Sequence, residues 1–362
     1  GVEKKIPYLK RLGVNAIYFN PLFEAVSNHK YNTSNYELVE DNFAIKGNQE
    51  ASEDYIREVI NKLHQHGIKV IFDVAFNYTG YEHWAFQDVV EKGADSSYSD
   101  WYFINDYPVI KLHKQNQDTS PNYKCWWGQG AYPILNVNNP AVKDYLFDIT
   151  KKWMDPDDDG DPSDGIDGWR LDMPGGVKKT NEQFWQEWRE LVKKVNPKAY
   201  ITGEIWEQGS EYLQGEELDS VMNYRFQKAV VDFIGQGKIT AAQFGDQLAS
   251  IRKDYPRQST YTQLNLIDSH DTKRFLTAAY GDKQRLKLAS LLQMTYLGAP
   301  LVYYGDEVGM QGGLPPDSRR TMLWSDRGYA APDRDLFAHY RKLIDIRHQE
   351  PTLRRGKLKE IA

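Results

Sequence analysis

Three acidic residues stand where chemistry could happen, each at or just past a short apolar run. Asp172 follows Gly168-Trp-Arg-Leu171, Glu204 follows Tyr200-Ile-Thr-Gly203, and Asp271 lies in Asp268-Ser-His-Asp271. Arg170 precedes Asp172 by two positions, so on an extended strand both side chains leave the same face. A neighbouring cation favours the charged form of a carboxylate. An ionised, oriented Asp172 suits a nucleophile, a metal ligand or half of a structural ion pair, and this stretch alone does not choose among them. Glu204 is followed by Ile205 and Trp206, apolar company that would keep a proton on its carboxyl. One ionised and one protonated carboxyl is the pairing that hydrolysis of a glycosidic bond requires. One attacks or stabilises the developing cation, and the other gives a proton to the leaving oxygen. Any one of these acids is explained equally well by a strand-end cap or an ion pair. All of them together, with Arg170 and His270, are hard to assign to chance.

Such groups need a scaffold, and the chain supplies a regular rhythm. Apolar runs at 14–19, 68–76, 166–172, 199–205, 219–224, 261–268 and 299–305 read as strands. Helical periodicity occupies 3–12, 51–66, 140–154, 181–195, 225–234, 240–254, 283–296 and 333–348. Alternation of this kind implies a parallel sheet, α/β in class, one strand short of a closed TIM (β/α)8 barrel. The chain opens on a helix, so the first strand is expected upstream of Gly1. An open doubly wound sheet is the alternative, but no Gly-rich phosphate loop follows any strand to support it. Barrel chemistry sits at the carboxyl ends of strands. Asn20, Asn77, Asp172, Glu204, Asn223, Asp271 and Asp306 all fall there. Residues 79–138 are rich in Tyr, Trp, Asp, Pro and Asn without clear helical period. They are expected to form a small irregular domain inserted after the third barrel strand, which divides the catalytic barrel into 1–78 and 139–350. Residues 351–362 read as the start of a linker to a C-terminal domain.

Composition narrows the partners. A formal net charge of −6 argues against a general nucleic-acid binder, which would need a basic face. No run of 18 apolar residues is present to span a membrane. The single cysteine, Cys125, allows no intrachain disulfide and is expected to be an inert buried thiol. No leader is visible, so bacterial cytoplasm, periplasm and secretion all remain open, as does oligomeric state. The 24 Tyr and 10 Trp exceed what a core needs, and flat rings in excess suit stacking on sugars. Trp84, Trp101, Tyr102, Tyr123, Trp126 and Trp127 fall in the inserted stretch, where they would either meet glucose units or form that domain's core.

Six aspartates crowd residues 155–164, and Asp155, Asp157, Asp159 and Asp161 alternate around Gly160. Alternating acids near a glycine are how oxygen ligands wrap a hard cation such as Ca2+. Ile166 occupies the position where an EF-hand carries its bidentate glutamate, so a solvated acidic loop is the competing reading.

With these motifs in order, the chain resembles the α-amylase family of glycoside hydrolases, family 13. The segments are Asp73-Val-Ala-Phe-Asn77-Tyr78, Gly168-Trp-Arg170-Leu-Asp172, Gly203-Glu204-Ile-Trp206, Asp268-Ser-His270-Asp271, and the last strand, Gly298-Ala-Pro-Leu-Val-Tyr-Tyr-Gly-Asp306-Glu. Ser27-Asn-His-Lys-Tyr31, Glu204-Ile-Trp206 and Met222-Asn-Tyr224 look most like the cyclomaltodextrinase, neopullulanase and maltogenic amylase group. The resemblance implies Asp172 as nucleophile, Glu204 as general acid/base and Asp271 as the second transition-state carboxylate. Tyr31, Asp73, Tyr78, Arg170, Trp206, His270 and Arg274 would bind substrate. It implies retaining hydrolysis of α-1,4 glucosidic bonds in maltooligosaccharides, cyclomaltodextrins or pullulan through a covalent intermediate, with α-1,6 cleavage left open and the Asp172 and Glu204 carboxyls roughly 5–5.5 Å apart. The expected partner is an α-glucan oligosaccharide, with no organic cofactor. A transglycosylase on the same scaffold is one alternative. A catalytically silent glucan-binding relative is another, and the presence of both acids argues against it. Four departures stand out: Tyr78 where the family has histidine, Asn32 and Asn35 in place of aspartates, Met173-Pro-Gly-Gly-Val after the nucleophile, and Glu207 after Trp206.

Overall fold

Trp169 and Leu171 fill one side of a four-residue strand while Gly168 and Arg170 occupy the other, and all four are buried. A strand buried on both faces needs a neighbour on each edge and a layer on each side. The computed structural model describes residues 1–111, 121–324 and 332–359, and the backbone divides into two units. The first unit comprises Gly1–Ile6 and Asn15–Glu204. It holds strands β1 (Ala16–Phe19), β2 (Phe23–Ala25), β3 (Thr33–Val39), β4 (Lys69–Val74), β5 (Gly168–Leu171) and β6 (Tyr200–Gly203).

Within this unit β1 pairs with β4, β4 with β5 and β5 with β6, all parallel. The register is what matters for chemistry. Asp73 lies opposite Arg170, Val74 opposite Leu171, and Leu171 opposite Gly203. The ladder then continues one residue further, with the Asp172 amide donating to Val74 at 2.8 Å and that of Glu204 to Leu171 at 2.9 Å. Both acids therefore leave the sheet side by side at its carboxyl edge. Gly168 permits the close approach, since a Cβ there would stand 2.2 Å from the Tyr200 carbonyl oxygen.

Helices Gln49–Gln65, Pro140–Met154 and Phe184–Val195 cover the sheet. Asn48 caps the first by accepting from the Ala51 amide, and Asn139 caps the second, which carries Pro140 in its first turn. Their buried faces, Ile56, Val59, Ile60 and Leu63 on one and Trp185, Trp188 and Val192 on another, supply the apolar layer. The antiparallel β2–β3 pair was absent from the sequence reading, as was the helix Trp84–Lys92 in the stretch described as aperiodic. In that stretch Trp101, Tyr102 and Tyr123 are buried, and Phe86 is flanked by Tyr102 and Tyr123 at 4.8 and 4.9 Å. Half of the six aromatics singled out there are thus core, while Trp84 and Trp126 are half-buried. Trp127 is 76 % exposed and stacked on Trp126. Cys125 is half-buried rather than buried, and that burial raises its thiol pKa. Residues 112–120 of the expected inserted domain lie outside the described residues.

The second unit, Pro7–Val14 and Ile205–Ala362, contains β7 (Ser220–Val221), β8 (Leu264–Leu266) and β9 (Ala299–Leu301). β8 and β9 pair in parallel, and Met222 bridges Leu264 in the same sense. Helices Ala241–Asp254, Lys283–Thr295 and Arg334–Gln349 pack on this side. The first of these opens on a capping box between Thr240 and Gln243. All seven expected strands are present, shorter than their apolar runs; the strands described within either unit do not close a ring on their own. The expected linker starts as a helix, Pro351–Arg355, and residues 360–362 lie outside the described residues.

Candidate active site

Arg170 is the hub of the first unit's carboxyl edge. Its guanidinium has no exposed surface and meets three carboxyl groups. Nη1 donates to Asp73 at 2.9 and 3.1 Å and to Oδ1 of Asp172 at 2.9 Å, and Nη2 lies 2.9 Å from Oε2 of Glu204. Asp73 is itself fully buried, and its Oδ2 accepts from the Tyr31 hydroxyl at 2.6 Å and the Tyr18 hydroxyl at 2.9 Å. Tyr31 in turn accepts from the Asn20 amide at 2.8 Å. The Tyr78 hydroxyl donates to Oδ2 of Asp172 at 3.1 Å. Burial raises the phenol pKa of Tyr31 and Tyr78 well above the usual value, so both are donors at any working pH.

One guanidinium among three buried carboxyls leaves a net charge of −2 if all are ionised, and burial makes that costly. The strain falls on Asp172. Burial first, then the charge of Glu204, pushes its carboxyl well above the usual range against the pull of Arg170. The sequence reading made Asp172 the ionised partner on the strength of Arg170 alone. Burial, the Glu204 charge and a hydrogen bond with Glu204 together outweigh that cation at Asp172.

In the second unit, Nε2 of His270 lies 3.0 Å from Asp271. Arg319 donates to the other Asp271 oxygen at 3.0 Å and to the His270 carbonyl at 2.8 Å, so it pairs with an acid as its sequence suggested. Trp206 is 41 % exposed and stacks on Tyr224 at 3.8 Å. Arg274 has no exposed surface; it donates to the Tyr304 and Ser318 carbonyls, pairs with Asp306 at 3.3 Å and lies over the Tyr303 ring. Burial and the facing Asp268 carboxyl raise Asp306 well above the usual range, and burial raises Asp268 and Glu307.

Of the residues singled out from sequence, the first unit brings together Asp172, Glu204, Arg170, Asp73, Tyr31 and Tyr78. The second unit carries Asp271, His270, Trp206 and Arg274. Tyr18 was missed because it looked like an ordinary strand residue; its hydroxyl donates to Asp73, and Asn20, read only as a strand-end polar residue, donates to Tyr31. Beside Tyr78, a cavity of about 450 Å3 is lined by Asn77, Phe103, Trp126, Asn138, Lys179 and Thr180 among others, a mix of rings and polar groups suited to a hydroxyl-rich ligand.

The acidic loop was tested as a cation site. Carboxylate oxygens of Asp155, Asp157 and Asp159 lie within 4.8 Å of one another, while Asp161 is not part of that group. Instead, Asp161 accepts from the Ser163 amide. Asp155 Oδ1 and Asp164 Oδ1 are buried without hydrogen-bond partners. Burial first, then Asp157, raises the Asp164 carboxyl. Hard oxygen donors with uncompensated charge fit Ca2+. Asp164 was missed because it falls off the alternating pattern.

The catalytic-domain model of the α-amylase family, "Alpha amylase, catalytic domain", matches residues 1–356. Neopullulanase 2 of Thermoactinomyces vulgaris is 43% identical over 359 residues, covering 99% of this chain and 57% of the relative. A cyclomaltodextrinase of a Bacillus species is 40% identical over 359 residues, 99% of this chain and 60% of its own. The cyclic α-maltosyl-(1→6)-maltose hydrolase of Arthrobacter globiformis, solved with cyclic α-maltosyl-(1→6)-maltose, superposes with a TM-score of 0.88 at 32% identity. That match covers 98% of this chain and 74% of the neighbour. The chain thus spans less than two thirds of the length of the first curated relatives. Family and neighbours imply a TIM barrel. On the motifs, the register that aligns them and a match along nearly its whole length, the chain belongs to the α-amylase family, whose catalytic domain it carries.

Proposed function

We propose that this chain is the catalytic part of a retaining α-glucan hydrolase. It cleaves α-1,4 bonds, and α-1,6 bonds where its subsites admit them, in maltooligosaccharides, cyclomaltodextrins or pullulan. The observation that carries the proposal is a single buried guanidinium, Arg170, holding Asp172 and Glu204 side by side at the carboxyl edge of a parallel sheet. The relatives' printed activities, neopullulanase and cyclomaltodextrinase, support the substrate class.

In this mechanism Glu204 is the proton donor and Asp172 the nucleophile. An Asp172 oxygen attacks the anomeric carbon, the glycosidic bond breaks, and Glu204 protonates the departing oxygen. Water then enters, gives a proton back to Glu204 and releases the sugar from Asp172, so that configuration is retained. Arg170 orients both acids. Asp73 acts at one remove, fixing Arg170 and Tyr31. His270 and Asp271, held by Arg319, bind glucan hydroxyls, and Trp206 offers a stacking face. The fold in this reading is a (β/α)8 barrel whose segments 1–78 and 139–350 flank an inserted domain at 79–138. Asp155, Asp157 and Asp159, with Asp164, hold a structural Ca2+ that braces the loop leading into β5.

Incubation with maltoheptaose, β-cyclodextrin and pullulan, with products separated by chromatography, tests the reading. Release of glucose, maltose or panose from at least one is expected. No release from any would sink it.

A further inference from the structure

Tyr78 has little freedom in where it points. Its ring is 2 % exposed, packed between Trp126 at 5.5 Å and Tyr132 at 5.2 Å, and its carbonyl accepts from the Tyr36 hydroxyl at 2.9 Å. The phenol donates to Oδ2 of Asp172, 3.1 Å away. Oδ1 is already taken by Arg170 at 2.9 Å. The titratable groups that act on Asp172 within this unit include Tyr31, Tyr36 and Tyr132 as well as Arg170, Glu204, Asp73 and Tyr78. Tyr78 donates its hydroxyl to Asp172 itself, whereas Tyr31 donates to Asp73 and Tyr36 to the Ala75 and Tyr78 carbonyls. The residue is also where this sequence departs from the family it resembles, in which a histidine with a shorter ring occupies the position.

We propose that Tyr78 is a positioning residue that acts through the nucleophile: its hydroxyl holds Oδ2 of Asp172 and stabilises the carboxylate as charge returns to it during breakdown of the covalent intermediate. The proposal rests on the retaining mechanism above. In the first half-reaction an Asp172 oxygen forms a bond to the anomeric carbon. The glycosidic C–O bond breaks, and the Glu204 proton leaves with the departing oxygen. Asp172 changes from carboxylate to ester. In the second half, water adds to the anomeric carbon and passes its proton to Glu204. The ester C–O bond to the sugar breaks, and its electron pair returns to Asp172. A hydrogen bond to an oxygen is stronger when that oxygen is anionic. The Tyr78 bond is therefore weakest in the ester and strongest in the free carboxylate. It assists the second half and gives no help to the first.

The test is Tyr78→Phe, which keeps the ring and its packing, assayed with 4-nitrophenyl α-maltoside. Loss of a hydrogen bond to a charged group should lower kcat roughly ten- to hundredfold. KM should fall with it, because intermediate accumulates. Nitrophenol should appear as a burst, and intact-mass spectrometry of quenched enzyme should show one maltosyl group added. Tyr78→His, whose ring is too short to reach Asp172, should show the same adduct with different packing. Unchanged kcat in both variants, or a rise in KM with kcat unchanged, would overturn the proposal by making Tyr78 a packing or sugar-contacting residue. Wild-type enzyme that releases no nitrophenol would overturn the hydrolase reading itself, and the proposal with it.

Discussion

Charge balance around Arg170 governs the chemistry at the scale of single residues. Three carboxyls share one guanidinium, and the Glu204 charge is the largest neighbouring influence holding Asp172 up after burial itself. Removing that charge should let Asp172 ionise more readily. In Glu204→Gln, assayed with α-maltosyl fluoride, whose leaving group needs no acid, the acid limb of the pH–rate profile should move to lower pH. Natural glucans should turn over roughly a hundred- to ten-thousandfold more slowly, the usual contribution of a general acid. An acid limb that stays in place would show that Glu204 does not set the protonation of Asp172. The identity of both acids was legible in the sequence, since each follows an apolar run at a strand end. What raises the Asp172 carboxyl was not: its chain neighbour Arg170 pulls it down, whereas burial and the spatial neighbours Glu204 and Asp73, brought by register from β6 and β4, push it up. Asp73 illustrates the same limit: its motif was visible, but its burial beneath Arg170 and Tyr31 depends on pairing 97 residues apart.

At the scale of elements, β5 was the easiest to read, because Ile166, Trp169 and Leu171 form an apolar run with Gly168 at the point of closest approach. Gly168→Ala would place a methyl 2.2 Å from the Tyr200 oxygen, forcing β5 and β6 apart. A loss of about 1–3 kcal/mol is expected from such overpacking, read as a lower urea midpoint with unchanged m-value. Unaltered stability would mean that the strands tolerate separation. The β2–β3 pair was invisible for a physical reason. Register shifts interrupt its ladder, so the buried positions of β3, Thr33, Tyr36 and Val39, recur every third residue instead of alternating. Trp84–Lys92 escaped because only Ala85, Phe86 and Val89 are buried, a stripe too short to establish a period. The loop before β5 carries its own prediction. Ca2+ added to chelated protein at a hundredfold excess over its dissociation constant should stabilise it by about 2.7 kcal/mol. Asp159→Asn should abolish most of the resulting rise in Tm. Equal Tm with and without Ca2+ would remove the cation from the account.

At the scale of the whole molecule, buried acids with raised pKa values occur in both units: Asp172 in the first, and Asp268, Asp306 and Glu307 in the second. An acid whose folded pKa lies above its unfolded value near 3.8 contributes stability that is complete below about that pH. The contribution is lost as pH rises through the folded value. Asp306→Asn mimics the protonated form, so its Tm relative to wild type should increase steadily as pH is raised above 4. A difference independent of pH would mean that Asp306 is not protonated in the folded protein. The rhythm of strands and helices, and with it the family, was legible because periodicity and apolar runs are local properties. Closure of a barrel and the borders of an inserted domain depend on contacts that no local pattern encodes.

The central claim is retaining hydrolysis by Asp172 and Glu204, and its most direct test is the anomeric form of the first product. Maltoheptaose digestion followed by proton NMR before mutarotation should show maltose appearing first as the α-anomer, with the signal absent in Asp172→Ala. Product appearing first as the β-anomer, or unchanged release by Asp172→Ala, would contradict the account.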